Sequence, residues 1–224
     1  MWRRRRHEAA EPLGLEEQIE ALMNRYDQAG NDHTCRAAVL EEYLALAYSH
    51  HDEVMMFEVN GWAQTLAEEY LASGRVDDAV RVVVEATSRG HGEHAVMLCE
   101  LAEQLMRSGH EPTARPVWER ARAEYGQDVW IYVQAGIEYG DLGDHATALA
   151  WLTPGTELAV RTVDPNSALE QLVPLRAAAL AALRRSPDEL QARAEVALAQ
   201  QATPGARPGE RDRISNHREP STGA

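Results

Sequence analysis

Three glycines recur at nearly equal spacing in the middle of this chain, and this period constrains the possible fold more than any other feature. Gly74, Gly109 and Gly143 are separated by 35 and 34 residues. The fifth residue after each glycine is an alanine: Ala79, Ala114 and Ala148. Because an internal period of about 20–50 residues is typical of repeat proteins, the spacing predicts an array of similar units.

The apolar residues around each glycine follow the period of an α-helix. The segment 66–79 has counterparts at 101–114 and 135–148. Each segment has a small residue at its second position: Ala67, Ala102 and Gly136. Each also has a bulky residue four positions before the glycine: Tyr70, Leu105 and Tyr139. Since glycine adopts the left-handed conformation that ends a helix, each unit is predicted to be a helix, a tight turn and a second helix. The valine-rich run 80–84 is the one apolar stretch that could also form a strand, but it follows two acids suited to the first turn of a helix. We therefore predict an all-α chain.

These units resemble the tetratricopeptide repeat (TPR), a helix-turn-helix with a period of about 34 residues. The resemblance covers residues 60–160, which divide into repeats at 60–94, 95–128 and 129–160. It implies a right-handed α-α solenoid of about four to five helix pairs, in which the end pairs are less regular and act as caps.

The pattern loosens on both sides of the three repeats. Residues 14–59 predict acidic helices that form a degenerate repeat or a cap, and residues 161–202 predict a capping helix pair. The basic leader 1–13 and the tail 203–224, which is rich in Pro, Gly and Arg, lack the apolar residues needed to offset the entropy of ordering. We expect both of these end segments to be disordered.

Several local signals predict where helices begin, break or bend. Thr34 is a candidate N-cap for the second helix, and Ser186 with the following proline is a candidate start for the last one. Gly61 is a candidate break within the third helix. The run Thr153-Pro154-Gly155 predicts a kink or a restart in the second helix of the third repeat.

The net charge of −14 is concentrated near the start of the chain. Residues 1–7 carry +4 from four consecutive arginines, whereas residues 8–58 carry −10. An acidic surface disfavours a dedicated nucleic-acid binder and favours partners that carry positive charge. No apolar run is long enough for a membrane span.

The basic and sulfur-containing residues indicate source and compartment. All 22 basic residues are Arg, which suggests a high-GC bacterium of the actinomycete kind, since Arg codons can be GC-rich and Lys codons are AT-rich. Two cysteines are too few for a disulfide framework, so we expect a cytoplasmic protein.

The TPR resemblance implies that the first helix of each repeat lines a concave surface that binds extended peptides or partner helices. The positions that it assigns to this surface are Gln64, Glu68, Leu71, Cys99, Glu103, Met106, Trp130, Val133, Gln134, Ile137 and Asp141. Their mixture of apolar groups and carboxylates favours a basic or apolar protein segment. The alternative for the apolar members is that they pack between neighbouring repeats. Only Arg107 resembles the cations with which some TPR proteins clamp a terminal carboxylate.

Signals for catalysis are weak. The chain has no Gly-x-Ser-x-Gly, no phosphate-binding glycine loop and no dinucleotide fingerprint. The run His50-His51-Asp52-Glu53 and the pair His91 and His94 could supply metal ligands, but adjacent helical side chains point about 100° apart. We therefore predict a non-enzymatic interaction scaffold with no cofactor or metal and leave its oligomeric state open. The alternatives are a peptide-responsive regulator and, less favoured, a His-dependent metalloenzyme.

Overall fold

The fold is all-α in the computed structural model, which describes residues 13–50, 58–90, 94–162 and 167–201. Those ranges contain ten helices and no strand. The helices are α1 (Leu15–Gln28), α2 (His33–Ser49), α3 (Val59–Ala72), α4 (Val76–Ser88), α5 (His94–Arg107), α6 (Glu111–Tyr125), α7 (Val129–Asp141), α8 (His145–Thr162), α9 (Leu169–Ala182) and α10 (Glu189–Gln201).

The helices pack in the order in which they occur along the chain. Each helix contacts the next one, and α3, α5, α7 and α9 also contact each other in succession, as α8 does with α10. The apolar side chains between them form one continuous core from Leu22 to Ala194. The odd-numbered helices α3, α5 and α7 therefore lie side by side and present a shared surface.

The repeated glycines end helices, as the sequence predicts. Their φ angles are +77° at Gly74, +80° at Gly109 and +77° at Gly143. The residue after each glycine donates its backbone N–H to the carbonyl of the bulky residue five positions earlier, at 2.7–2.9 Å. Those bulky residues are fully buried fillers, also as predicted: Tyr70, Leu105 and Tyr139. Each glycine also donates its own N–H to the carbonyl three positions earlier, at 2.9–3.0 Å. This C-cap with two hydrogen bonds turns the chain back on itself and sets each second helix against its first.

The small residues of the repeat allow the paired helices to approach closely. Ala67, Ala102, Ala79, Ala114 and Ala148 are all buried. A methyl group added to Gly136 of α7 would collide with the side chain of Leu152 in α8. The same relation holds between Gly155 of α8 and Tyr132 of α7, so two glycines bring this helix pair together.

The predicted restart at Thr153-Pro154-Gly155 is wrong, since α8 runs without interruption from His145 to Thr162. The Thr153 hydroxyl donates to the carbonyl of Leu149 at 2.8 Å. Ala150, the residue four positions before the proline, is exposed, so water can reach its carbonyl. The helix therefore tolerates Pro154 and uses Gly155 for close packing.

Three other local predictions also need correction. Asp32, not Thr34, caps α2, because its carboxylate accepts the N–H of Cys35 at 3.0 Å. The last helix begins at Glu189 rather than near Ser186. Gly61 does not break α3, which runs through it. Residues 1–12, 51–57, 91–93 and 202–224 lie outside the described residues, so what the sequence predicts for them stays a prediction.

A buried guanidinium joins the last three helices. Arg176 of α9 is 2% exposed and donates to both carboxylate oxygens of Asp188, at 2.9 and 2.6 Å. It also donates to Gln191 of α10 at 3.2 Å and to Thr153 of α8 at 3.4 Å. The guanidinium, with the Gln191 N–H, lowers the pKa of Asp188 to about 2. Asp188 thus both caps α10 and neutralises Arg176.

We expect Gly109→Ala to lower the free energy of unfolding by about 1 kcal/mol, because a Cβ disfavours positive φ. Gly61→Ala is the matched control, since Gly61 lies inside α3 with free space around a Cβ and no positive φ. That change should be neutral or stabilise the helix by up to about 1 kcal/mol. Urea unfolding followed by circular dichroism measures both, and equal effects would contradict the role assigned to the turn.

We expect Asp188→Asn to destabilise the protein by about 2 kcal/mol at neutral pH, because it leaves the buried Arg176 without its counter-charge. The lowered pKa of Asp188 means that its contribution is present above pH 4 and is lost as the pH falls towards its folded-state pKa of about 2. The difference between the wild type and Asp188→Asn should therefore shrink between pH 5 and pH 2.5 in urea titrations.

Glu157→Gln serves as the control for that experiment, since Glu157 is an exposed carboxylate on α8. We expect its effect to stay within about 0.5 kcal/mol at every pH. A difference between the wild type and Asp188→Asn that does not change with pH would contradict the ionic role of Asp188.

Candidate functional site

The candidate site is the surface shared by α3, α5 and α7, and the predicted groove residues differ in how much of it they form. Glu68 and Asp141 are exposed, whereas Met106 and Val133 are 3% and 0% exposed. Met106 and Val133 lie on the sides of α5 and α7 that face other helices. They therefore belong to the core and offer no surface to a partner. The partly exposed members are Gln64, Leu71, Glu103, Trp130, Gln134 and Ile137, and Cys99 is 9% exposed.

Two depressions bring most of the accessible members together. The first, which we call the α5–α7 pocket, has a volume of about 170 Å³, and it is lined by Ala95, Val96, Cys99, Glu100, Glu103, Asp128, Trp130, Ile131 and Gln134. The second, the α3–α5 pocket, has a volume of about 380 Å³ and is lined by Glu68, Leu71, Ala72, Gln104, Arg107 and Ser108. Gln64, Ile137 and Asp141 are outside both sets of lining residues.

Side-chain hydrogen bonds show that α3 and α5 run parallel and in register. Gln64 donates to Glu100, and Gln104 donates to Glu68 at 2.9 Å. In each pair the two residues are 36 positions apart in the sequence, and they occupy corresponding positions along the two helices. Since α3 and α5 are separated by the reversal at Gly74 and by α4, the parallel direction follows from the turn geometry.

The carboxylates of this surface outnumber its cations. Arg107 lies 2.5 Å from Glu103 and 3.6 Å from Glu138, so one guanidinium serves two acids. Glu100 accepts a hydrogen bond from the uncharged Gln64. Burial, followed by repulsion from Glu103 and Glu68, raises the pKa of Glu100. Burial and repulsion from Glu103 raise the pKa of Glu138 in the same way, so added positive charge here would be stabilising.

Three members of this acidic surface were missed from the sequence: Glu100, Gln104 and Glu138. A helical-face argument could have found Glu100, which lies one helical turn before the predicted Glu103. Gln104 could have been found from its register, since it follows Glu68 by one repeat plus one residue. Nothing in the sequence distinguishes Glu138, which is 6% exposed, from a solvent-facing acid.

A second polar cluster lies at the start of the array and surrounds Glu69 of α3. This carboxylate is 4% exposed, whereas the sequence suggested that the pair Glu68-Glu69 lies on a solvated face. It lies 2.7 Å from His33 Nδ1 and 3.1 Å from Arg36 of α2, and it accepts the hydroxyl of Tyr26 of α1 at 3.2 Å. The cluster connects three helices, and its partners come from within the protein.

Two observations on the described residues concern metal ligands and nucleophiles. Among them, no group of three or more His, Cys, Asp or Glu side chains is placed to hold a metal ion. Burial, with added repulsion from Asp128, Glu100 and Glu103, raises the pKa of the Cys99 thiol to about 12. A thiol with this pKa stays protonated at neutral pH and is a poor nucleophile. Of the histidine clusters, the described residues include only His50 and the helix start at His94.

No helix in the described ranges has the length and apolar character needed to cross a bilayer.

Comparison with known proteins yields no relative for this chain. No family model, curated protein or solved structure matches it. The resemblance to the tetratricopeptide repeat therefore depends on the repeat residues themselves.

Proposed function

We propose that this protein is a non-enzymatic interaction module, a right-handed TPR-like solenoid that binds a basic segment of another protein on its α3–α5–α7 surface. Two features support the solenoid: the regular glycine turns and the succession of contacts among the odd-numbered helices. The observation that carries the function is the excess of crowded carboxylates around the α5–α7 pocket.

The α5–α7 pocket has the chemistry of a site for one cationic side chain. Trp130 supplies an aromatic wall, and Glu100, Glu103 and Asp128 supply carboxylates around it. An arginine or lysine side chain there would gain both a cation–π contact and charge-assisted hydrogen bonds. The volume of about 170 Å³ is below the roughly 300–1,000 Å³ of typical small-molecule sites, which favours a single side chain of a peptide.

Apolar groups around the pockets would add contact area for the rest of such a segment. Val96 is 43% exposed at the edge of the α5–α7 pocket, and Leu71 lines the α3–α5 pocket. A segment that carries both arginines and an apolar side chain would therefore use more of the surface than a purely basic one.

We also propose a cytoplasmic location in a high-GC bacterium. Cys35 and Cys99 are both free thiols, which suits a reducing compartment. The exclusive use of Arg among 22 basic residues supports the source.

We expect a fluorescein-labelled peptide with one tryptophan and four arginines to bind the full chain, and the double variant Glu100→Gln/Glu103→Gln to bind it at least tenfold more weakly. Removing the two carboxylates lowers the electrostatic attraction, and tenfold corresponds to about 1.4 kcal/mol. Fluorescence anisotropy measures the Kd. The control is Asp77→Asn/Glu157→Gln, which removes two exposed carboxylates from α4 and α8 and should bind as the wild type does.

An equal loss of affinity in both double variants would show attraction by net charge alone and would contradict the pocket. Equal affinity for a peptide with four glutamates in place of the arginines would contradict the proposed charge preference.

A further inference from the structure

The chain itself contains a segment with the chemistry that the α3–α5–α7 surface fits. Residues 1–12 include Trp2 and the four consecutive arginines Arg3–Arg6. This is the densest run of positive charge in a chain whose net charge is −14. The tail 202–224 also carries four arginines, but they are spread among three acids.

We propose that residues 1–12 bind the α3–α5–α7 surface of the same chain and compete there with the partner protein. In this contact, the four arginines at positions 3–6 lie beside the carboxylates of the α5–α7 pocket. This inference rests on the proposed function, since it names the occupant of the same surface when no partner is bound.

The charge pairing on α4 and α6 is one reason why the arginines would bind the α3–α5–α7 surface rather than those helices. On the second helices, carboxylates lie within salt-bridge distance of arginines of their own helix, as in Glu85–Arg89, Glu111–Arg115 and Glu124–Arg120. Around the α5–α7 pocket, Glu100 pairs with the uncharged Gln64, and Glu103 shares Arg107 with Glu138. The negative charge around the α5–α7 pocket is therefore less balanced than that on α4 and α6.

The direction of the helices brings the leader to the correct edge. Arg36, near the beginning of α2, contacts Tyr26 near the end of α1 and Glu69 near the end of α3, so α1 and α3 both run antiparallel to α2. The hydrogen bonds between α3 and α5 are in parallel register. The beginnings of α1, α3 and α5 therefore share one edge. Leu13 lies just before α1, and the α5–α7 pocket includes Val96 at the beginning of α5.

The length of the leader suffices for this contact. Packed helices are about 8–10 Å apart, and α1 reaches α5 through contacts with α2 and α3, so α5 lies within roughly 30 Å of α1. A fully extended chain spans up to about 3.5 Å per residue, so Arg6 can reach roughly 25 Å from Leu13 and Arg3 roughly 35 Å. The first arginines of the run can thus reach α5, which carries Glu100 and Glu103.

The test measures how a labelled peptide of residues 1–12 binds to two full-length proteins, the wild type and a variant in which Arg3, Arg4, Arg5 and Arg6 are all replaced by Ser. We expect the variant to bind the peptide at least tenfold more tightly, because its own leader no longer competes. The difference should disappear near 1 M salt, where the Debye length is about 3 Å. The matched control replaces the four tail arginines by Ser and should bind as the wild type does: Arg207, Arg211, Arg213 and Arg218.

Equal peptide affinity for the wild type and the leader variant would overturn the inference. If the tryptophan–arginine peptide of the previous test still binds both proteins, the proposed function stands while the inference falls. If neither protein binds either peptide, the proposed function itself is wrong. Light scattering provides the last check, since a dimer that dissociates when the leader arginines are removed would show that the leader occupies a second copy and would overturn the intramolecular contact.

Discussion

The left-handed glycine turn is the constraint on which the rest of this structure depends. Each turn joins two antiparallel helices through only a few residues, so every second helix starts at the same edge of the molecule. The odd-numbered helices are parallel as a consequence. Side chains at corresponding positions along neighbouring odd-numbered helices can then contact each other, as Gln104 and Glu68 do. The shared α3–α5–α7 surface thus arises from turns with positive φ angles, a conformation that glycine adopts more readily than any residue with a Cβ.

The two sets of helices use their charges differently. The even-numbered helices α4 and α6 carry acids and arginines three or four residues apart, which neutralise each other locally and contribute little to stability. On α3 and α5, Glu68 and Glu100 instead accept hydrogen bonds from glutamines of the neighbouring repeat, although Glu103 still pairs with Arg107 of its own helix. Only part of the net charge of −14 therefore lies on the α3–α5–α7 surface, and most of the acids lie elsewhere.

The sequence predicted the parts of the fold that depend on local period. The turn glycines, the buried fillers such as Tyr139 and the all-helical content follow from spacing alone. The buried charges could not be predicted, because Arg176 and Glu69 depend on partners 12 and 36 residues away, Asp188 and His33. Met106 and Val133 show the same limit within the site. Their helical positions border both the core and the surface, and only the packing of neighbouring helices decides between the two.

The ionic clusters lie where the repeat pattern is weakest. In the central repeats, tightly packed small and bulky residues set the distance between helices. The pairs at the two ends diverge from that pattern, and there a buried charge holds three helices together: Glu69 joins α1, α2 and α3, and Arg176 joins α8, α9 and α10. A buried charge is costly without its partners, so only one arrangement of the end helices satisfies each cluster. These clusters therefore specify the ends of the array by electrostatics, as the glycines specify its centre by backbone conformation.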